Sequence, residues 1–125
     1  MTGGRGFIGS ELLPILQNAA HDVYSLERHP ANSAEQSENR AYRIKEGDII
    51  KTSQIRHIIR EIQPEILIHL AALSSVAISY DHPIEYIATN IAGTVNLAEA
   101  CLREVNNFKK LIFASSIYVY KDTPN

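Results

Sequence analysis

Three glycines in the opening stretch TGGRGFIGS, at Gly3, Gly6 and Gly9, have the spacing that would seat a diphosphate at the start of a helix. Such a group is densely anionic, and a helix N-terminus offers unpaired N–H donors and the positive end of the helix dipole. A side chain at the contact would hold the phosphate off, so Gly3 and Gly6 permit close approach. Gly9 lets the helix pack tightly on a sheet. An ordinary glycine-rich turn is the alternative, and three glycines alone do not exclude it. A second group adds to the pattern. The segment DVYSLE ends in Glu27, at the distance expected of an acid that accepts hydrogen bonds from an adenosine ribose diol. A carboxylate there repels a 2′-phosphate and favours NAD, whereas Arg28 and His29 would welcome that phosphate and keep NADP open. The competing phosphate loop, GxxxxGK(S/T), is absent from the sequence, which argues against a P-loop nucleotidase.

These residues need elements to hold them. Phe7, Ile8, Leu12, Leu13, Ile15 and Leu16 recur at helical spacing, so residues 6–18 read as a helix that Pro14 should bend. Residues 22–27 read as a short strand, 29–39 as a polar loop and 42–45 as a second strand, followed by the turn Glu46-Gly47-Asp48. Thr52 or Ser53 is placed to cap a helix to Ile62 with Ile55, Ile58, Ile59 and Ile62 on one face. Pro64 stops it. The continuous apolar run ILIHL, 66–70, predicts a strand buried on both faces, with a small-residue loop after it over 71–75. Pro83 opens a long helix to about Glu104, and KLIFA, 110–114, reads as the last buried strand. Strands alternating with helices imply an α/β fold, a doubly wound parallel sheet of Rossmann type. The strand that should feed the glycine turn is missing or reduced to Met1.

Composition sets the outer limits. The chain has 125 residues, enough for one domain, with 45% hydrophobic and 21% charged residues. Twelve Lys and Arg against 14 Asp and Glu give a net charge of −2, no electrostatic ground for nucleic acid or an anionic membrane surface as partner. A single cysteine, Cys101, cannot form an internal disulfide and points to a reducing, cytoplasmic setting. No apolar run is long enough to span a bilayer, and glycines and Arg5 break up any signal-peptide core. His21, His29, His57, His69 and His82 show no HExxH or paired CxxC spacing, so no metal site is expected. His69, closing an apolar strand, reads as a satisfied core or loop-anchoring residue.

Six motifs in order carry a wider likeness: TGGRGFIGS, GDI at 47–49, PEILIHLAA at 64–72, HP at 82–83, TNIAGTVNL at 89–97 and FASSIYVY at 113–120. Through them the chain resembles the extended short-chain dehydrogenases, NAD(P)-dependent epimerases and dehydratases acting mainly on nucleotide sugars. The resemblance implies backbone contacts from Phe7 and Ile8 to the pyrophosphate, acceptance by Asp48 from the adenine amino group, and packing of Ile49 on the ring. It implies that Leu70, Ala71, Ala72 and Leu73 line the cofactor and that Thr89 and Asn90 look into the site. Read without it, Asp48 is equally a turn residue and Thr89-Asn90 a polar pair on a helix surface. Ser116 takes the place of the family's catalytic Ser/Thr, which would hydrogen-bond the oxygen at the sugar carbon being oxidised while a tyrosine acts as base. A homodimer through the Pro83–Glu104 helix is also implied.

The departures matter as much. The family's YxxxK lies beyond FASSIYVY and does not occur here, since Tyr118 leads to Asp122 and Tyr120 to Pro124. Ile117 and Tyr118 replace the Asp-Glu pair usual in sugar 4,6-dehydratases, which points to an epimerase or reductase. Lys121 replaces the glycine of VYG. The expectation is a partial NAD(P)-binding Rossmann domain over 1–125, truncated at both ends and catalytically incomplete, with its substrate domain absent. A non-catalytic dinucleotide-binding module is the alternative. A gap at the first strand would orphan backbone groups at about 1–3 kcal/mol each, predicting marginal stability or association through the gap.

Overall fold

The computed structural model describes residues 1–29, 42–116 and 119–120. The loop expected over 29–39 falls almost wholly outside them, as do Ile117, Tyr118 and Lys121. Among these residues four short strands, β1 (Tyr24–Glu27), β2 (Arg43–Glu46), β3 (Ile66–His69) and β4 (Lys110–Phe113), form two parallel pairs, β1 with β2 and β3 with β4. Tyr24 faces Arg43 in the first pair and Ile66 faces Lys110 in the second.

The expected gap between the pairs is partly closed. Thr2 bridges to both Leu26 and His69. Its N–H donates to the Ile68 carbonyl at 2.9 Å, and its own carbonyl accepts from Leu70 at 3.2 Å. The Leu26 N–H donates to the Met1 carbonyl at 2.8 Å, and the terminal ammonium donates to the Tyr24 carbonyl. Met1 and Thr2 thus supply one rung that makes a single parallel arrangement, β2-β1-Thr2-β3-β4. In line with that rung a cavity of about 410 Å³ continues between β1 and β3, lined by Met1, Tyr24, Ile58, Ile66 and Leu97 among others.

Helices flank this sheet. α1 (Phe7–Asn18) runs through Pro14, and α2 (Thr52–Ile62) packs against α5 (Thr94–Glu104). Ile55 and Leu97 are fully buried at that contact, with Ile58, Ile59, Ala100, Cys101, Leu26 and Leu67 around them. Full burial of such a side chain is worth roughly 1.5–3 kcal/mol, so this face holds the layers together. Glu104 locks the same helix pair from outside, bound to both Arg56 and Arg60.

Several expectations are corrected. Thr52 is the first helical residue and not a cap; its hydroxyl donates to Asn96 Oδ1 at 3.0 Å, tying α2 to α5. The helix start is fixed instead by Asp48, whose N–H donates to Gln54 Oε1 and whose Oδ1 accepts from Ile50. β3 is not buried on both faces, because Ile66 is 46% exposed. β4 is exposed at every residue, having β3 beside it and no described helix packed closely on it. The loop after β3 gives way to an unforeseen helix, α3 (Val76–Asp81), capped by Ser75. The long helix is compound: α4 (Pro83–Tyr86) passes into a π-helical turn, Ile87–Gly93, before α5.

Candidate functional site

All the proposed site residues on strands sit at strand carboxyl ends or just beyond, where parallel α/β sheets bind ligands. The glycine turn lies there because β3 and β1 hold it from both sides. Gly3 has φ +70°, and a Cβ on it would come within 2.7 Å of the Ala71 nitrogen. Only glycine satisfies that backbone and that approach together. Gly9 works differently from expectation. A Cβ there would meet the Gly3 carbonyl at 2.2 Å, so Gly9 seats α1 on the turn's own backbone rather than on the sheet. Gly4, which the three-glycine spacing passes over, is equally constrained: its Cβ would lie 2.1 Å from Ser25 Oγ and 3.1 Å from Glu27 Oε1.

The donor end of α1 opens to the surface. Gly6 is its N-cap, with no side-chain cap and no acid in the first turn. The Gly6 N–H closes the turn on the Gly3 carbonyl at 3.0 Å, and Ser10 N–H returns to the Gly6 carbonyl at 2.9 Å. Phe7 and Ile8 are exposed at 92% and 59%. Their backbone amides belong to the first helical turn, whose N–H groups have no intrahelical acceptor.

Glu27 stands beside this turn, 9% exposed, accepting from the buried Ser25 hydroxyl at 2.5 Å. Arg28 is exposed next to it, and Arg5 Nη1 donates to the His29 carbonyl at 3.3 Å. Asp48 is half-buried at the end of β2. Ile49 is a core residue against which a Cβ on Gly93 would press at 2.7 Å, so its side chain is spent on packing.

Beyond β3, Leu70 and Ala71 are half-buried and Ala72 exposed. Asn90 does not point a free amide into the site. Its Oδ1 accepts from Leu73 N–H and its Nδ2 donates to the Leu73 carbonyl, both at 2.8 Å, so it clamps the loop. Thr89 lies half-buried beside it in the π turn. Ser116 is exposed after β4, its carbonyl accepting from Val119 N–H at 3.3 Å, and Ala114 N–H donates to the His69 carbonyl.

Thr2, Thr94 and Gly4 had no claim from spacing. Thr2 is 1% exposed, and its hydroxyl lies 2.6 Å from His69 Nδ1 and 3.2 Å from the Ala71 nitrogen. His69, also 1% exposed and tilted against the Phe113 ring, lies 3.0 Å from Thr94 Oγ1 through Nε2; burial pushes its pKa down. The adjacency of Gly3 and Gly4 was the one sequence cue. Sixty-seven residues separate Thr2 from His69, and no local pattern could join them. Cys101 is buried, which drives its thiol up to about 11 and removes it as a nucleophile. Among the described residues no group of three metal-ligating side chains occurs, and no helix is long and apolar enough to cross a membrane.

Comparison with known proteins bears on this geometry. The family model described as NAD dependent epimerase/dehydratase family matches residues 1–125. A UDP-glucose 4-epimerase of Yersinia enterocolitica is 37% identical over 96% of this chain, which spans 37% of that protein. The structure of a UDP-glucose 4-epimerase from Thermotoga maritima with UDP-glucose superposes with a TM-score of 0.80 at 34% identity, covering 92% of this chain and 36% of the other. A UDP-glucose 4-epimerase of Thermus thermophilus in complex with NAD gives 0.79 at 30% identity, with the same coverage.

Proposed function

The chain belongs to the NAD dependent epimerase/dehydratase family, and from that premise we propose that it forms the dinucleotide-holding portion of a nucleotide-sugar epimerase or reductase that takes NAD. One observation carries the reading. The open, uncapped N-terminus of α1 and the Glu27 carboxylate flank the same glycine turn, with Gly4 pressed between them. The group fits these residues: the turn leaves no room for a Cβ, no acid competes in the first helical turn, and a nearly buried carboxylate stands ready for a diol. Phe7 and Ile8 amides would hold the diphosphate, and Glu27 would accept from the adenosine ribose. Asp48 would reach the adenine end, Leu70, Ala71 and Ala72 would line the middle, and Thr89 would face inward. NAD, when bound, supplies a hydride acceptor and donor for a sugar carbon. Ser116 would hydrogen-bond the oxygen on that carbon.

A UDP-linked hexose is the substrate class suggested by the relatives. Whole activity would need a base that Ser116 cannot provide, so the chain alone should bind without turning over. The second reading, a binding module without catalysis, draws on the partial exposure of β4, where Leu111, Ile112 and Phe113 are 36%, 44% and 51% exposed, and on the exposure of Ser116 beyond it. Exposed Ile84, Ile87, Ile91, Val95 and Leu102 give α4–α5 an apolar outer face for a second copy of the chain. Calorimetric titration tests the central claim. NAD should bind, NADP should bind more weakly, and Glu27→Gln should narrow the difference. Equal and negligible heats for both cofactors would overturn it.

A further inference from the structure

We propose that His69 is a positioning residue, fixed in one tautomer, that joins the glycine turn to the π turn through a one-way chain of hydrogen bonds. The proposal rests on reading Thr2–Gly9 as the dinucleotide turn. Its direction follows from counting protons. The Thr94 hydroxyl has one hydrogen, and it goes to the Asn90 carbonyl at 2.7 Å. Toward His69 Nε2, 3.0 Å away, Thr94 Oγ1 therefore accepts, and Nε2 carries the ring proton. The neutral ring then leaves Nδ1 bare, and the Thr2 hydroxyl donates to it across 2.6 Å. The oxygen of Thr2 in turn accepts from Ala71 N–H at 3.2 Å.

Every donor and acceptor is used once: Ala71 N–H to Thr2, Thr2 to His69, His69 to Thr94, Thr94 to the Asn90 carbonyl. Moving the proton to Nδ1 would break this order at both ends. Thr2 would keep a hydroxyl hydrogen with no acceptor, and Thr94 would have to abandon Asn90 to donate to Nε2. Burial favours the uncharged ring that the chain requires. The residues joined are the ones that shape the site. Thr2 precedes Gly3, Ala71 lies against Gly3, and Asn90 clamps Leu73. A shift of the π turn is thereby felt at the phosphate turn, although Thr2 and Thr94 do not bond to one another.

Histidine nitrogen NMR on the full chain reads the tautomer directly. A pyrrole-type Nε2 and a pyridine-type Nδ1 are expected. In Thr94→Val, which keeps the shape and removes the acceptor, part of the proton should move to Nδ1. NAD affinity should fall about tenfold in Thr2→Val and in Thr94→Val, and Thr2→Val/Thr94→Val should bind no worse than the weaker single variant. Thr2→Ser and Thr94→Ser should restore binding to within about twofold. An Nδ1–H tautomer in the unaltered chain, or strictly additive losses, would overturn the relay. If the unaltered chain binds no NAD while showing the Nε2–H tautomer, the dinucleotide reading fails. The relay is then decided by the same double-variant cycle read in thermal unfolding, where additive losses overturn it.

Discussion

The glycine turn and the β4 edge lie at the same end of one sheet and are built in opposite ways. Around the turn, Thr2, Ser25, Glu27 and His69 are all buried polar residues with hydrogen-bond partners, and glycines let three backbone segments touch. Along β4 every residue is exposed, and Ser116 lies beyond it. The chain therefore fixes the glycine turn by its own buried contacts, while the serine extends from a strand supported by its pairing with β3. Holding a dinucleotide and acting on a sugar are separable demands, and on the proposed reading these residues would serve the first.

The comparison breaks most readily at Gly9. Gly9→Ala forces a Cβ against backbone that has no side-chain freedom to yield, and should cost about 3 kcal/mol or more and abolish NAD binding in calorimetry. Gly4→Ala meets a movable Ser25 hydroxyl first and should cost less in chemical denaturation.

Next in size, for the 125-residue chain with a free amine at Met1, is a pH effect at the rung that joins the strand pairs. Burial lowers the Met1 amine from 8.0 to about 6, against opposing attraction from Glu27. Between those values the unfolded chain binds a proton that the folded one refuses, so stability falls as pH drops from 8 to 6. The loss should be on the order of 2 kcal/mol in urea unfolding. N-terminal acetylation retains an N–H for Tyr24 and should flatten that window.

A smaller effect belongs to Glu104. Its bonds to Arg56 and Arg60 hold the carboxyl below its ordinary pKa, so it stabilises the fold above the unfolded value and loses that contribution as pH falls through the folded one. Glu104→Gln should flatten the acid limb of a stability profile and leave NAD affinity alone. Least of all, Ser116→Ala should change stability by under about 0.5 kcal/mol. A large loss there would show the β4 edge to be as tightly built as the turn.

The sequence revealed what local pattern can carry. Ile55, Ile58 and Ile59 recur on one face of a helix, and all three are buried. The alternation of strands and helices announced a parallel α/β sheet, and the position of Glu27 brought it to the glycine turn. Packing between distant segments was illegible. KLIF is as apolar as ILIH, yet one is exposed throughout and the other partly buried, because hydrophobicity does not say what covers a strand. Asn90 was legible equally as a group facing a ligand or as half of a polar pair on a helix surface, and its amide is consumed by Leu73, seventeen residues away. The π turn had no signature, since Thr89, Asn90 and Gly93 are weak helix formers but nothing in their order specifies a wider pitch.

That turn carries an extra residue over a stretch where ordinary helical winding would need fewer. Winding the same residues at the ordinary pitch of about 3.6 per turn would rotate α5 by about 100° relative to α4. Thr94 would then turn away from His69 while Asn90 stayed with Leu73. The wider pitch is what lets one helix serve both contacts.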